Sequence, residues 1–210
     1  MTWSPPVEGV PDFYVVTVND SDQIGVTTTE DLVYTPCAEI IVKAVFGDSV
    51  YSGTLLISPT ETDSFEVWIE NIADSTHPSG IAFDTLGTHA YSVYDTTNLA
   101  KIDYYLAPGP KLMSTKLHTP TPLNSKGCSV SQENGTFNTL KIVSPTSLGL
   151  YQDSVDLVEG GLYGLFLDRN DSDYDVTDYF GKAQVISVTE EKVTFKFAIQ
   201  TKAGLRWVVK

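Results

Sequence analysis

Cysteine, histidine and positive charge are all scarce in this chain. Two cysteines, Cys37 and Cys128, stand far apart. That separation excludes a zinc knuckle and a redox CxxC pair. Two buried free thiols or one long-range disulfide both remain open, because a bridge depends on geometry that spacing does not show. The three histidines, His77, His89 and His118, share no spacing. A metal centre needs convergent ligands, so they are expected to be solvated loop or strand-end residues. Thirteen Lys plus Arg stand against 27 Asp plus Glu, a formal net charge of −14. Such a surface repels a phosphate backbone and an anionic bilayer, so neither nucleic acid nor membrane is an expected partner. No apolar run approaches the length of a membrane span. The N-terminal segment has no basic region followed by an apolar one, which gives the expectation of synthesis in the cytoplasm without a signal peptide.

What the chain does have is β texture. Hydrophobic residues make up 41% and charged residues only 19%. A real core can therefore form, and Thr, Ser, Asn, Gln and Tyr must supply much of the polar surface. Phe13 to Val18, Ile24 to Thr28, Leu32 to Tyr34, Ala38 to Phe46, Val50 to Ile57, Ala90 to Tyr94 and Ala100 to Leu106 read as strands. Ser64 to Glu70 alternates cleanly, with Phe65, Val67 and Ile69 on one face and Trp68 on the other with Glu66 and Glu70. Later candidates are Thr139 to Val143, Gly161 to Leu167, Lys182 to Val188, Lys192 to Ile199 and Leu205 to Val209. Helix-like windows are short, near Asp95 to Lys101 and Asp173 to Phe180. Residues 107–127 contain four prolines, which bar a helix or a central strand. The expected fold is all-β: two small antiparallel sandwich or barrel blocks joined by an extended Pro-rich linker. The expected boundaries are an arm over 1–12, a sandwich-like domain over 13–106, the linker over 107–127 and a small barrel or sandwich over 128–210.

Few constellations suggest chemistry. Asp168, Asn170, Asp173 and Asp175 place oxygens at alternate positions and resemble the start of a calcium loop, but the glycine and bidentate Glu of such a loop are missing. An exposed acidic tip is the plainer reading, with bound calcium as the alternative; no other cofactor is expected. Asn19, Asn134 and Asn170 open glycosylation sequons that also read as turns. Trp68, on the polar face of its strand, is a candidate contact residue, either exposed to a partner or covered by the other block. Phe46-Gly-Asp-Ser-Val-Tyr-Ser-Gly53 resembles the nucleophile block of GDSL (SGNH) hydrolases, which implies an esterase acting through Ser49. The family's following helix and its Gly-x-Asn-Asp block are absent here. Its Asp-x-x-His pair is matched only by Asp74-Ser-Thr-His77, soon after the serine, so a hairpin turn is the expected structure and no enzyme activity is expected.

The arm Met1 to Asp12, the Pro-rich stretch Pro108 to Pro122 and the acidic, Thr- and Tyr-rich β texture together resemble structural proteins of tailed-bacteriophage virions. The resemblance is to capsid cement, decoration or accessory tail proteins. It implies a non-enzymatic component of a particle, located in the virion after synthesis in the host cytoplasm. The implied partners are other capsid or tail proteins and further copies of the chain. Trp3, Val7 and Val10 are the arm's expected apolar anchors. The rival reading is a glycan- or receptor-binding sandwich that stacks sugars on Trp68, Tyr104, Tyr105 or Trp207.

Overall fold

In the computed structural model the chain is almost wholly β. The structure describes residues 4–7, 9–27, 36–72, 74, 76–84, 87–170, 174–175 and 177–209. Trp3, the expected strand at Leu32 to Tyr34, and Asp171 to Asp173 lie outside the described residues. The chain divides into two compact units, one formed by residues 1–58 with 209–210 and the other by residues 59–208.

The first unit is one antiparallel sheet. Its strands are β1 (Phe13–Val18), β2 (Ser21–Val26), β3 (Glu39–Phe46) and β4 (Ser49–Leu56), in the order β2-β1-β3-β4. Turn chemistry sets its registers. Val18 pairs with Ser21 around Asn19 and Asp20, whose φ values are 50° and 60°. Two successive positive φ values make the primed turn that matches strand twist, and Asn and Asp tolerate them. Phe46 pairs with Ser49 around Gly47 and Asp48, with Gly47 at φ 54°. Tyr14, Val16, Ile40 and Ala44 are buried on one face.

The second unit holds ten strands: β5 (Thr60–Trp68), β6 (Gly80–Asp84), β7 (Gly87–Tyr91), β8 (Tyr104–Ala107), β9 (Lys111–Ser114), β10 (Ser129–Glu133), β11 (Ser154–Asp156), β12 (Leu162–Leu167), β13 (Tyr179–Val188) and β14 (Lys192–Ile199). They form two five-stranded sheets, β10-β12-β13-β14-β5 and β11-β9-β8-β6-β7, and every pairing is antiparallel. One core joins them. Val67, Val193, Phe195 and Phe197 come from the first sheet, and Ile81, Phe83, Leu106 and Leu112 from the second. The unit is therefore a sandwich. Among the described residues no sheet closes on itself, so the expected barrel alternative gives way to the sandwich.

All-β is the fold expected from sequence, but the expected division at 107–127 is replaced by one between Ser58 and Pro59. Pro108 and Pro110 sit in the short connection between β8 and β9, and Leu112 and Leu123 are buried. That stretch is part of the sandwich because prolines outside the ladder cost no sheet hydrogen bond. The expected strand at Thr139 to Val143 and the one at Leu205 to Val209 reduce to a single bridge between Ile142 and Trp207. Of the helix-like windows, the first yields a 3₁₀ turn at Leu99–Lys101, and the second ends inside β13.

Candidate functional site

Four places in the molecule concentrate contact-capable or electrostatically unusual groups. In the first unit they are the arm and the β4 edge. Val7 and Val10 are 101% and 92% exposed, so these two side chains touch water and not the sheet. The arm is anchored at its far end. The Asp12 N–H donates to the Val45 carbonyl at 2.8 Å, and the Asp12 carboxylate accepts from the Gly47 N–H at 2.7 Å. Asp12 thus belongs to the sheet, and the free arm is shorter than the expected 1–12. Ser4 and Pro6 form one wall of a groove of ≈220 Å³ whose floor includes Tyr14, Ala44 and Tyr51. Beside it β4 is exposed along its whole length, with Val50, Tyr51, Leu55 and Leu56 among the exposed apolar residues.

In the second unit the most unusual group is Asp103, with no exposed surface. Its carboxylate accepts from Lys126 Nζ at 2.7 Å and from the Phe83 N–H at 2.8 Å, and Arg169 Nε lies 3.9 Å away. The Arg169 guanidinium also donates to the Phe83 carbonyl and stands over the Tyr179 ring. Burial pushes the Cys128 thiol well above its ordinary value, and the Asp103 charge adds to that push. A thiol so raised stays protonated and is a poor nucleophile. Cys128 packs in the core and Cys37 is buried in the first unit; both are free thiols.

Lys182, on β13, is the second unusual group. It is 3% exposed, donates to the Phe137 and Leu140 carbonyls at 2.6 and 2.9 Å, and sits 4.4 Å from the Phe137 ring centre. The carbonyls favour the ammonium. Burial disfavours it and dominates, drawing the pKa down to about 8. Above that value the folded chain has lost a proton that the unfolded chain keeps until ~10.4. Unfolding free energy therefore gains a rising contribution from pH 8 towards pH 10. The expected result is that Lys182→Met flattens this rise relative to wild type in thermal melts across that window. Parallel profiles would show that the amine is not desolvated.

Within each unit, among the described residues, those singled out from sequence share no site, although Trp68 contacts His77. Ser49 opens β4 directly after the two-residue turn, as the hairpin reading required, and no histidine lies in residues 1–58. The acidic run is not a uniformly exposed tip: Asp168 is 2% exposed. One Asp168 carboxylate oxygen accepts the Asn170 N–H at 2.9 Å, and one Asp175 oxygen accepts the Thr177 N–H at 2.6 Å. These oxygens organise the loop itself, and Asp173 lies outside the described residues. Among the described residues no group of three His, Cys, Asp or Glu could hold a metal ion.

The histidines are paired, not free: His77 with Asp74 at 3.0 Å, His89 with Asp84 at 2.9 Å and His118 with Glu70 at 2.7 Å. Donors from the Thr76 hydroxyl, the Thr76 N–H and His77 hold Asp74 well below the usual carboxylate range. Trp68 is half-buried, with the His77 ring centre 4.1 Å away and Lys192 Nζ 5.3 Å from its own. Tyr104 and Tyr105 are buried and cannot offer stacking faces to a sugar. The Tyr104 hydroxyl is instead spent on the Ser129 and Phe166 carbonyls. Sequence reasoning passed over Asp103 and Lys182, because each is a lone charge among strand residues with no local partner.

No family model matches the chain, and no curated protein matches it. Among solved structures it is similar to a DUF4466 family protein from Parabacteroides merdae ATCC 43184, at 15% identity and a TM-score of 0.49. The alignment covers 77% of this chain and 60% of that one, so the chain spans less than two thirds of that protein's length.

Proposed function

We propose that the chain is a non-enzymatic structural protein that works as a repeated component of a larger particle, of the capsid cement, decoration or accessory tail type found in tailed bacteriophages. In this reading it is made in the host cytoplasm and ends in the virion, held by other capsid or tail proteins and by copies of itself. The observation that carries the reading is the arm, which holds Val7 and Val10 fully in water on a backbone stiffened by Pro5, Pro6 and Pro11. The arm is not extended throughout as expected, for the Gly9 N–H closes a turn on the Pro6 carbonyl at 3.3 Å. Prolines and turn have already removed much of its freedom, so docking it into an apolar groove costs little further entropy. Each such contact is weak, and repetition over a particle makes the sum strong. The receiving surface is neutral or basic, given the net charge of −14.

Deleting residues 1–10 leaves Asp12 and its two bonds in place. The expected outcome is an unchanged far-UV spectrum and melting temperature, with reduced incorporation into the particle when truncated and full-length chains compete. Equal incorporation would remove the arm as an attachment. A full-length protein that accumulates free and monomeric, with no particle containing it, would remove the particle reading.

A further inference from the structure

The geometry points to β4 as a self-pairing edge: two copies of this chain join antiparallel along Val50–Leu56, with Gly53 of one opposite Gly53 of the other. This goes beyond the particle reading and does not depend on it.

The other sheet edges are guarded in ways that natural β proteins use against edge-to-edge pairing. β2 carries Asp22, and the β1–β2 register shifts between Tyr14 and Val15. β5 carries Glu61, Asp63 and Glu66. The Val130–Gln152 bridge covers part of β10, and β11 is three residues long. β7 is five residues long, and its Thr88 and His89 are tied to Thr62 and Asp84. Among the described residues β4 has none of these guards; Ser4 and Pro6 share a groove with its Tyr51, Ser52 and Gly53 and leave all three exposed. The strand is eight residues long, exposed throughout and without a single charge in a chain of net charge −14. A second copy is therefore a partner whose approach along this strand meets no like charge on the strand itself.

Register and face both fit self-pairing. Phe46 and Ser49 flank a two-residue turn, so they exchange their hydrogen bonds with each other. Alternation then turns the odd-numbered residues of β4 towards β3, and the Ile57 N–H bonded to the Ala38 carbonyl continues that pattern. Val50, Ser52, Thr54 and Leu56 point their N–H and C=O groups outwards. A two-fold axis perpendicular to the sheet keeps faces matched. Centred on Gly53, it sets Val50 against the second copy's Leu56, Ser52 against Thr54 and Tyr51 against Leu55. Apolar meets apolar at Val50 with Leu56 and at Tyr51 with Leu55, and hydroxyl meets hydroxyl at Ser52 with Thr54; Ser49, opposite Ile57, lies beyond the matched stretch. The glycines at the axis leave room for both Tyr51 rings. An eight-residue edge offers less area than the ~1,200 Å² at the low end of stable interfaces, so the pairing is weak alone and strengthens where copies are held close.

The test is covalent trapping with purified full-length protein and no particle present. At the axis the two Gly53 residues form a non-hydrogen-bonded pair, with Cα atoms about 4.5 Å apart, inside the ~4.4–6.8 Å range of disulfides. A Cβ added at Gly53 meets nothing within 4 Å, so Gly53→Cys fits the folded sheet. Cys37 and Cys128 are buried and do not compete. Under mild oxidation Gly53→Cys is expected to give a disulfide dimer roughly tenfold or more faster than Glu190→Cys on an exposed turn, because pairing raises the effective thiol concentration. Adding Thr54→Lys should abolish that advantage. If Gly53→Cys loses its sheet spectrum, the double variant Tyr51→Cys with Leu55→Cys probes the same axis. Cross-linking no faster than the Glu190→Cys control overturns the proposal. So does faster trapping through Ser52→Cys, which requires a different register. Because no particle takes part, either result leaves the particle reading to its own test.

Discussion

Replacing Asp103 with alanine is expected to lower the unfolding free energy by about 3–5 kcal/mol, the range for breaking a buried ion pair by removing one member. Asp103 is fully buried, and the side chain of its partner Lys126 is only 13% exposed. The variant leaves an ammonium without its counterion. It also leaves the Phe83 N–H without its acceptor inside the core. Among the described residues the Lys126 ammonium keeps the Lys101 carbonyl, at 2.8 Å. Urea denaturation measures the loss. The double variant with Lys126→Met should recover part of it, because the stranded charge is gone. A loss within ~1 kcal/mol, as expected of an exposed pair, would mean that Lys126 simply swings out to water.

Phe197→Ala is expected to be comparably severe, at about 3–5 kcal/mol. Phe197 lies on β14 with no exposed surface, and its ring centre is 5.1 Å from Phe195, 5.1 Å from Phe83 and 5.8 Å from Phe65. Those rings come from both sheets of the sandwich. The void would be walled by two hydrogen-bonded ladders that cannot collapse onto it. Each kcal/mol shifts the midpoint of a domain of this size by roughly 2–4 °C, so the melting temperature should fall on the order of 10 °C. Phe197→Leu fills part of the space and should cost clearly less. Equal losses for the two variants would indicate that the ring contacts, and not the volume, set the stability.

Alternation and turn chemistry were the legible parts of this sequence. Phe65, Val67 and Ile69 read correctly as one face because β5 is buried on one side only. Lys192 to Ile199 read correctly as a strand, although its far end is covered on both faces, with Ala198 buried opposite Phe197 and Ile199. Gly47-Asp48 and Asn19-Asp20 read correctly as turns because those residues tolerate positive φ. β6 was missed. Gly80 to Phe83 are buried on both faces, so no period of two appears. The unit boundary was misplaced because proline density marks irregular backbone, and irregular backbone can be a hairpin connection as well as a linker. The actual boundary at Ser58–Pro59 has no shift in composition to betray it.

The candidate site was less legible still. Asp103 and Lys126 are 23 residues apart, and only the packing of β8 against the segment before β10 makes them a pair. Asp168 stood in an acidic run, where burial leaves no local trace.

The way the first sheet is strung has a mechanical consequence. The arm enters β1 at Phe13, beside the β3–β4 turn, where Asp12 is bonded to Val45 and Gly47. The chain leaves β4 at Leu56, paired with Glu39, at the opposite end of the same sheet. A pull on the arm against the rest of the chain therefore draws β1 and β4 lengthwise in opposite directions. The load falls on the whole β1–β3 and β3–β4 ladders at once, in shear, and not on one rung at a time as when a hairpin is peeled open. The small sheet is built to resist tension along its strands far better than its thin core would suggest.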